Sequence, residues 1–241
     1  MDVVLLGHSY IRRLQDGLIP PLHSHHGQDV GIGSLIRAAQ LASNLNISQH
    51  IRRAYTFSDG VVRIRDLDGI QTFVDRIRPG IVFIDIGSND LAHYDVVDAY
   101  TMLQLVTQLT DLALSLHAPK IILSAILPST GNITCSPDTF RENAERFNTY
   151  LLNICDPKSK LVYHKPCGFW NQYLDGLEHT LEVSDWSSDG IHCNRPDWFK
   201  KYKARTRRAI LTQVHWASKA AASHPDTSQR RPLGAEDRVT Q

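Results

Sequence analysis

Short apolar runs alternate with longer amphipathic stretches along most of this chain, and that alternation restricts the fold more than any other feature. Val3–Leu6, Ile81–Ile86 and Ile121–Ile126 read as buried strands, with Ala54–Phe57 and Leu161–Tyr163 as two weaker ones. A short apolar run with no regular polar alternation suits burial on both faces, the condition of a strand in a parallel sheet covered by helices. Between them, Tyr10–Leu18, Leu35–Leu45, Gly69–Ile77, Val96–Leu116 and Pro137–Asn153 carry apolar residues at helical spacing. The last opens with Ser136 as an N-cap and Pro137 at the first helical position. A final helix is expected from Pro196 to Ala222. The pattern predicts an α/β fold built from βαβ units on a mostly parallel sheet of about five strands.

Bulk properties narrow the classes further. With 241 residues, 42% of them hydrophobic and 21% charged, the chain is long enough for one sizeable core. Residues 1–222 read as a single domain. Residues 223–241 are polar, with Leu233 and Val239 as their sizeable apolar groups, and read as a disordered tail. A net charge of +1 argues against a surface wholly committed to nucleic acid or acidic membrane, while leaving room for a local basic patch. Cys135, Cys155, Cys167 and Cys193 form no C-x-x-C and no framework, so they read as reduced thiols. Val3–Leu6 is too short for a signal peptide and no apolar run reaches membrane-spanning length. The expectation is a soluble intracellular, cytoplasmic protein.

Three short strings carry chemistry: Gly7-His8-Ser9, Gly87-Ser88-Asn89-Asp90 and Asp189-Gly190-Ile191-His192. A serine hydroxyl is a poor nucleophile until a base takes its proton, and a histidine does this best when a carboxylate fixes its tautomer. The Asp189-x-x-His192 spacing lets that pair meet locally. Ser9 follows the first strand, Asn89 follows the Ile81–Ile86 strand, and Asp189 and His192 precede the last helix. In parallel sheets the ligand crevice lies beyond the carboxyl ends of the strands, which is where these segments fall. Taken singly, each string has a structural reading: a serine or an Asn-Asp pair caps helices, and Asp-Gly makes turns. Their joint order points to catalysis. His23, His25 and His26 resemble a metal tract but lack a carboxylate or cysteine partner nearby, so they read as a solvated loop.

In these strings the chain resembles the SGNH hydrolases, the GDSL-type esterase and lipase superfamily. Gly7-His8-Ser9 is similar to the family's first block, Gly87-x-Asn89-Asp90 to its third, and Asp189-x-x-His192 to its fifth. Its second block is a lone glycine; Gly60 is the assignment here, since the interval to Asn89 leaves room for one helix and one strand, with Gly31 and Gly33 competing. The family has an aspartate before the serine where this chain has His8. The resemblance implies a three-layer α/β/α, flavodoxin-like fold and an esterase or deacetylase acting on acyl esters. It implies Ser9 as nucleophile, His192 as base and Asp189 as its partner. The oxyanion hole would be formed by Ser9, Gly60 and Asn89. This chemistry calls for no cofactor and no metal.

A second function class rests on the last helix. Lys200, Lys201, Lys203, Arg205, Arg207 and Arg208, with Arg195 before them, face only Asp197. Domains similar to the SGNH hydrolases also occur in open reading frames of some retroelements, beside nucleic-acid-handling domains. The chain is then a catalytically silent module binding nucleic acid or an acidic partner through this helix. The buried stripe of Trp198, Phe199, Tyr202, Ile210 and Leu211 makes a packed helix with a solvated basic face the simpler reading.

Overall fold

A computed structural model describes residues 2–7, 11, 36–41, 55–56, 62–64, 67–91, 97–127, 135–165 and 196–223. Seven strands form one sheet: β1 (Val3–Gly7), β2 (Ile36–Leu41), β3 (Tyr55–Thr56), β4 (Val62–Ile64), β5 (Ile81–Asp85), β6 (Lys120–Ser124) and β7 (Leu161–His164). Their order is β3-β4-β2-β1-β5-β6-β7. All pairs are parallel except β3 with β4. The expected α/β architecture is present, with seven strands in place of about five.

The two additional strands are β2 and β4, and β2 overturns one expectation. The segment Leu35–Leu45 was predicted helical from its spacing, yet Ile36–Leu41 pairs in parallel with β1 from Val3↔Ile36 to Gly7↔Gln40. Its other edge pairs with β4. Two neighbouring ladders outweigh the intrinsic helix preference of an Arg-Ala-Ala-Gln stretch, because propensity differences amount to only a few tenths of a kcal/mol per residue. The three-residue β4 is too short to show any periodicity in the sequence.

Among the described residues, four helices precede the last one: α1 (Leu67–Ile77), the single turn α2 (Ser88–Leu91), α3 (Ala99–Ser115) and α4 (Pro137–Ile154), followed by α5 (Pro196–Ser223). Helix α1 stops where Arg78 takes a left-handed conformation (φ 51°) ahead of Pro79. Helix α3 starts three residues later than the spacing suggested because Asp98 caps it, accepting from the Thr101 N–H at 2.8 Å. Ser136 caps α4 as expected and Pro137 stands in its first turn. The β5–α3–β6 and β6–α4–β7 crossovers run the same way across the sheet, so right-handed connection puts α3 and α4 on one face, where they touch. Helix α5 packs against β5 and β6.

The core follows from the strand pattern. Every residue of β1 and β5 is buried, as sequence runs without polar alternation require. Ile70, Phe73 and Val74 of α1, Leu105, Val106 and Leu109 of α3, and Phe140, Phe147 and Leu151 of α4 join the same cluster. Tyr202, Ala209, Ile210 and Val214 bring α5 into it at helical spacing. Residues 224–241, read as a tail, lie outside the described residues.

Two buried asparagines of α4 hold loop backbone. Asn148 accepts from the Ile126 N–H at 2.8 Å and donates to its carbonyl at 3.1 Å, pegging the chain as it leaves β6. Asn143 accepts from the Val97 N–H at 3.2 Å, and Arg146 donates to the Val97 carbonyl at 2.7 Å. Replacing Asn148 by Ala removes a buried hydrogen bond from each backbone group of Ile126. The expected loss is about 2–4 kcal/mol, read from the urea midpoint at unchanged m-value. A loss below 0.5 kcal/mol, the level of an ordinary surface substitution, would contradict this role.

Candidate active site

Strands β1 and β5 lie side by side at the point where the sheet order turns: the chain passes from β1 to β2 on one side, and β5 occupies the other. Such a switch point opens a crevice beyond the carboxyl ends of the two strands. Both end level with each other, Gly7 paired with Asp85. Gly7 has to be glycine, since a Cβ there would overlap the Asp85 carbonyl oxygen and the Ile11 side chain. The chain beyond β1 therefore turns back closely enough for the buried Ile11 to sit against Gly7. Ser9 occupies the three-residue span between them and lies outside the described residues.

Beyond β5, buried Ile86 leads to Gly87 at φ 114°, a conformation that side-chain-bearing residues rarely adopt. The chain then enters α2, with the Leu91 N–H donating to the Gly87 carbonyl at 3.1 Å. Gly87 therefore stands at the cap position, and Asn89 is the second residue of the turn. That is not where a capping asparagine sits. The Asn89 side chain is outside the described residues.

The third segment is drawn in by a contact that the sequence did not announce. Tyr202, near the start of α5, donates its hydroxyl to Asp85 Oδ2, and both residues are buried. A carboxylate ending an otherwise apolar buried strand requires a partner. That requirement was the available signal, since Ile81-Val82-Phe83-Ile84-Asp85 ends on the one residue that cannot be buried unpaired. Asp85 thus joins three pieces of chain: Gly7 by the ladder, Gly87 by sequence, and α5 through Tyr202. Pro196, the first residue of α5, follows His192 by four positions. Asp189 and His192 themselves lie outside the described residues.

Gly60 also lies outside them, in the link between β3 and β4. Gly31, Gly33, His8, His23, His25, His26, Cys167 and Cys193 fall outside the described residues as well.

Cys155 and Tyr163 are held away from nucleophilic chemistry. Cys135 is buried and Cys155 half-buried. Burial pushes the Cys155 thiol up to about 11. Burial, and then the neighbouring Cys155, pushes Tyr163 up to about 12. Neither forms its anion at neutral pH.

His164, at the end of β7, is moved the other way: burial, and then the charge of Arg205, lower it from 6.5 to about 4. It is neutral at pH 7 in the folded chain. The unfolded chain takes this proton near pH 6.5, so stability is lost as pH falls from 6.5 towards 4. In His164→Gln, the urea midpoint should fall less steeply over that window than in the native chain. Equal slopes would show that His164 accepts its proton in the folded state at no cost.

The basic residues of α5 divide. Lys200, Lys201 and Arg208 are exposed, whereas Lys203, Arg205 and Arg207 are half-buried. The solvated face expected from the sequence is therefore partial.

A close approach at the end of the central strand, a glycine-led turn after its neighbour and a helix tied to that neighbour mark the crevice end of a parallel α/β sheet. The GDSL-like lipase/acylhydrolase family model matches residues 3–195, and the chain belongs to that family. No curated protein matches it in sequence. It is similar in structure to a GDSL-like lipase from Bacteroides thetaiotaomicron, at 16% identity and a TM-score of 0.51 over 88% of each chain. It is also similar to a carbohydrate esterase family 3 protein from Talaromyces cellulolyticus, at 14% identity and 0.51 over 89% of this chain and 98% of that one. An acetyl esterase mutant holding an acetate ion matches at 13% identity and 0.50, over 90% of this chain and 99% of that one. These likenesses bear out the three-layer α/β/α fold. Among the described residues, no helix is long and apolar enough to cross a membrane.

Proposed function

We propose that the chain is a serine hydrolase of acyl esters, with Ser9 as nucleophile, His192 as general base and Asp189 as the carboxylate that orients it. The single observation that carries this reading is the junction at Asp85. Its ladder partner Gly7 leads to Ser9 and its strand leads to Asn89, while its bond to Tyr202 anchors the helix that follows His192. His192 takes the Ser9 proton as Oγ attacks the ester carbonyl, then passes it to the departing alkoxide. Water, deprotonated by His192, cleaves the acyl-serine and restores Ser9. The Ser9 N–H and the Asn89 amide stabilise the oxyanion, each such donor being worth on the order of 10²-fold or more in rate. Gly60 is the third donor by resemblance.

The acetyl and carbohydrate esterase neighbours make short acyl esters the first substrates to try, with p-nitrophenyl acetate as reporter. Turnover above the buffer rate that depends on Ser9 is expected. Hydrolysis indistinguishable from buffer across acetyl to butyryl esters would favour the silent-module reading. The specific observation behind that second reading is the run of cations on α5, with Lys200, Lys201 and Arg208 exposed.

A further inference from the structure

Away from the strand ends, a cleft of about 340 Å³ opens where β7 and α5 face each other across the sheet edge. Its floor is Ile122 and Val162. Its rim and walls carry His164, Lys165, Arg205, Arg208, Thr212 and Gln213. None of the residues assigned to ester hydrolysis is among its described lining. Arg205, Arg208 and Thr212 recur at helical spacing along one face of α5, and Lys165 faces them from the end of β7. The described lining contains no carboxylate.

The two arginines are uncompensated as well as clustered. Neither Arg205 nor Arg208 has an ion-pair or hydrogen-bond partner for its guanidinium among the described residues. His164 Nε2 is buried and has no hydrogen-bond partner among the described residues. Folded proteins leave few buried polar atoms in this condition, and one aimed at a cavity lined by cations marks a place where a ligand completes the bonding. The positive field is strong enough at His164 for Arg205 to lower its proton affinity further than burial alone does. A half-buried arginine held without an acid is a cost to the fold unless an anion neutralises it.

We propose that this cleft is a phosphate-binding site, taking the phosphate group of a small phosphomonoester or of a polynucleotide strand. Arg205 and Arg208 supply planar forks that match phosphate oxygens, and Lys165 adds a point charge from the opposite wall. Two guanidinium forks match the several oxygens of a phosphate better than the two of a single carboxylate. Thr212 and Gln213 add neutral donors. A cavity of this volume accommodates a ligand of mononucleotide size.

The test is calorimetric titration of the full chain at low salt with inorganic phosphate, with AMP and with a ten-residue oligodeoxythymidylate. The expected result is saturable phosphate binding that weakens about tenfold or more in Arg205→Gln/Arg208→Gln and persists in Lys200→Gln/Lys201→Gln, which alters exposed cations outside the lining. Should the double variant fail to fold, Arg208→Gln alone, at an exposed position, replaces it with the same direction of change. Oligonucleotide binding that is displaced by phosphate and lost with the arginines identifies a strand backbone as the source. Binding of phosphate and AMP without the oligonucleotide identifies a free phosphomonoester. Absence of saturable phosphate binding, or binding equal in native and arginine variants, overturns the site.

Discussion

Ser9→Ala is expected to lower hydrolysis of p-nitrophenyl acetate by at least about 10³-fold while leaving the unfolding transition in place. Removing the nucleophile of a triad leaves only what binding and the oxyanion donors contribute, a residual far below the intact enzyme. Structural damage is the competing explanation, and the strand end separates the two. The tight contact at the tip of β1 is made by Gly7 against Asp85 and Ile11. The variant should therefore melt cooperatively with the native chain. Turnover equal to that of the native chain would remove Ser9 from the mechanism.

Asn89→Ala carries the second largest expectation, a fall of roughly 10²- to 10³-fold in kcat with little change in KM. An oxyanion donor acts on charge that develops only in the transition state, so ground-state binding is spared. A capping asparagine would behave differently, costing about 1 kcal/mol of stability and nothing in kcat. The position of Gly87 at the cap of α2 leaves Asn89 inside the turn, which favours the kinetic outcome. Unchanged kcat with a depressed urea midpoint would assign Asn89 to the turn instead.

What the sequence made legible depended on how local the cause was. The strands β1, β5 and β6 were visible because burial on both faces leaves an unbroken apolar run, as Val3–Leu6 and Ile81–Ile84 show. The start of α4 was visible because Ser136 and Pro137 act on their own immediate backbone. The strand β2 was hidden because its cause is not local: Ile36–Leu41 is extended through the ladders that β1 and β4 offer it, against its own spacing and composition. The buried asparagines of α4 were hidden for the same reason, since Asn148 serves a backbone 22 residues away in sequence.

At the site, the glycine turns were legible and the clamp was not. Gly7 and Gly87 stand where close packing and a positive φ exclude side chains, so their motifs carry a physical imprint. Tyr202 reads in the sequence as one more member of the stripe that faces the core. Only the fold shows that it meets Asp85 across 117 residues. The basic helix divides similarly: its charge was evident, while the burial of Arg205 and the cleft it shares with β7 depend on how α5 seats on the sheet.

Reaction of the intact chain with a fluorophosphonate, followed by peptide mass spectrometry, tests the central claim most directly. An activated serine beside a histidine base attacks phosphorus at rates an ordinary surface serine does not reach. The account predicts one stoichiometric adduct on the peptide containing Ser9, abolished in His192→Ala and in heat-unfolded protein. An unlabelled chain, or an adduct on another serine, would contradict it.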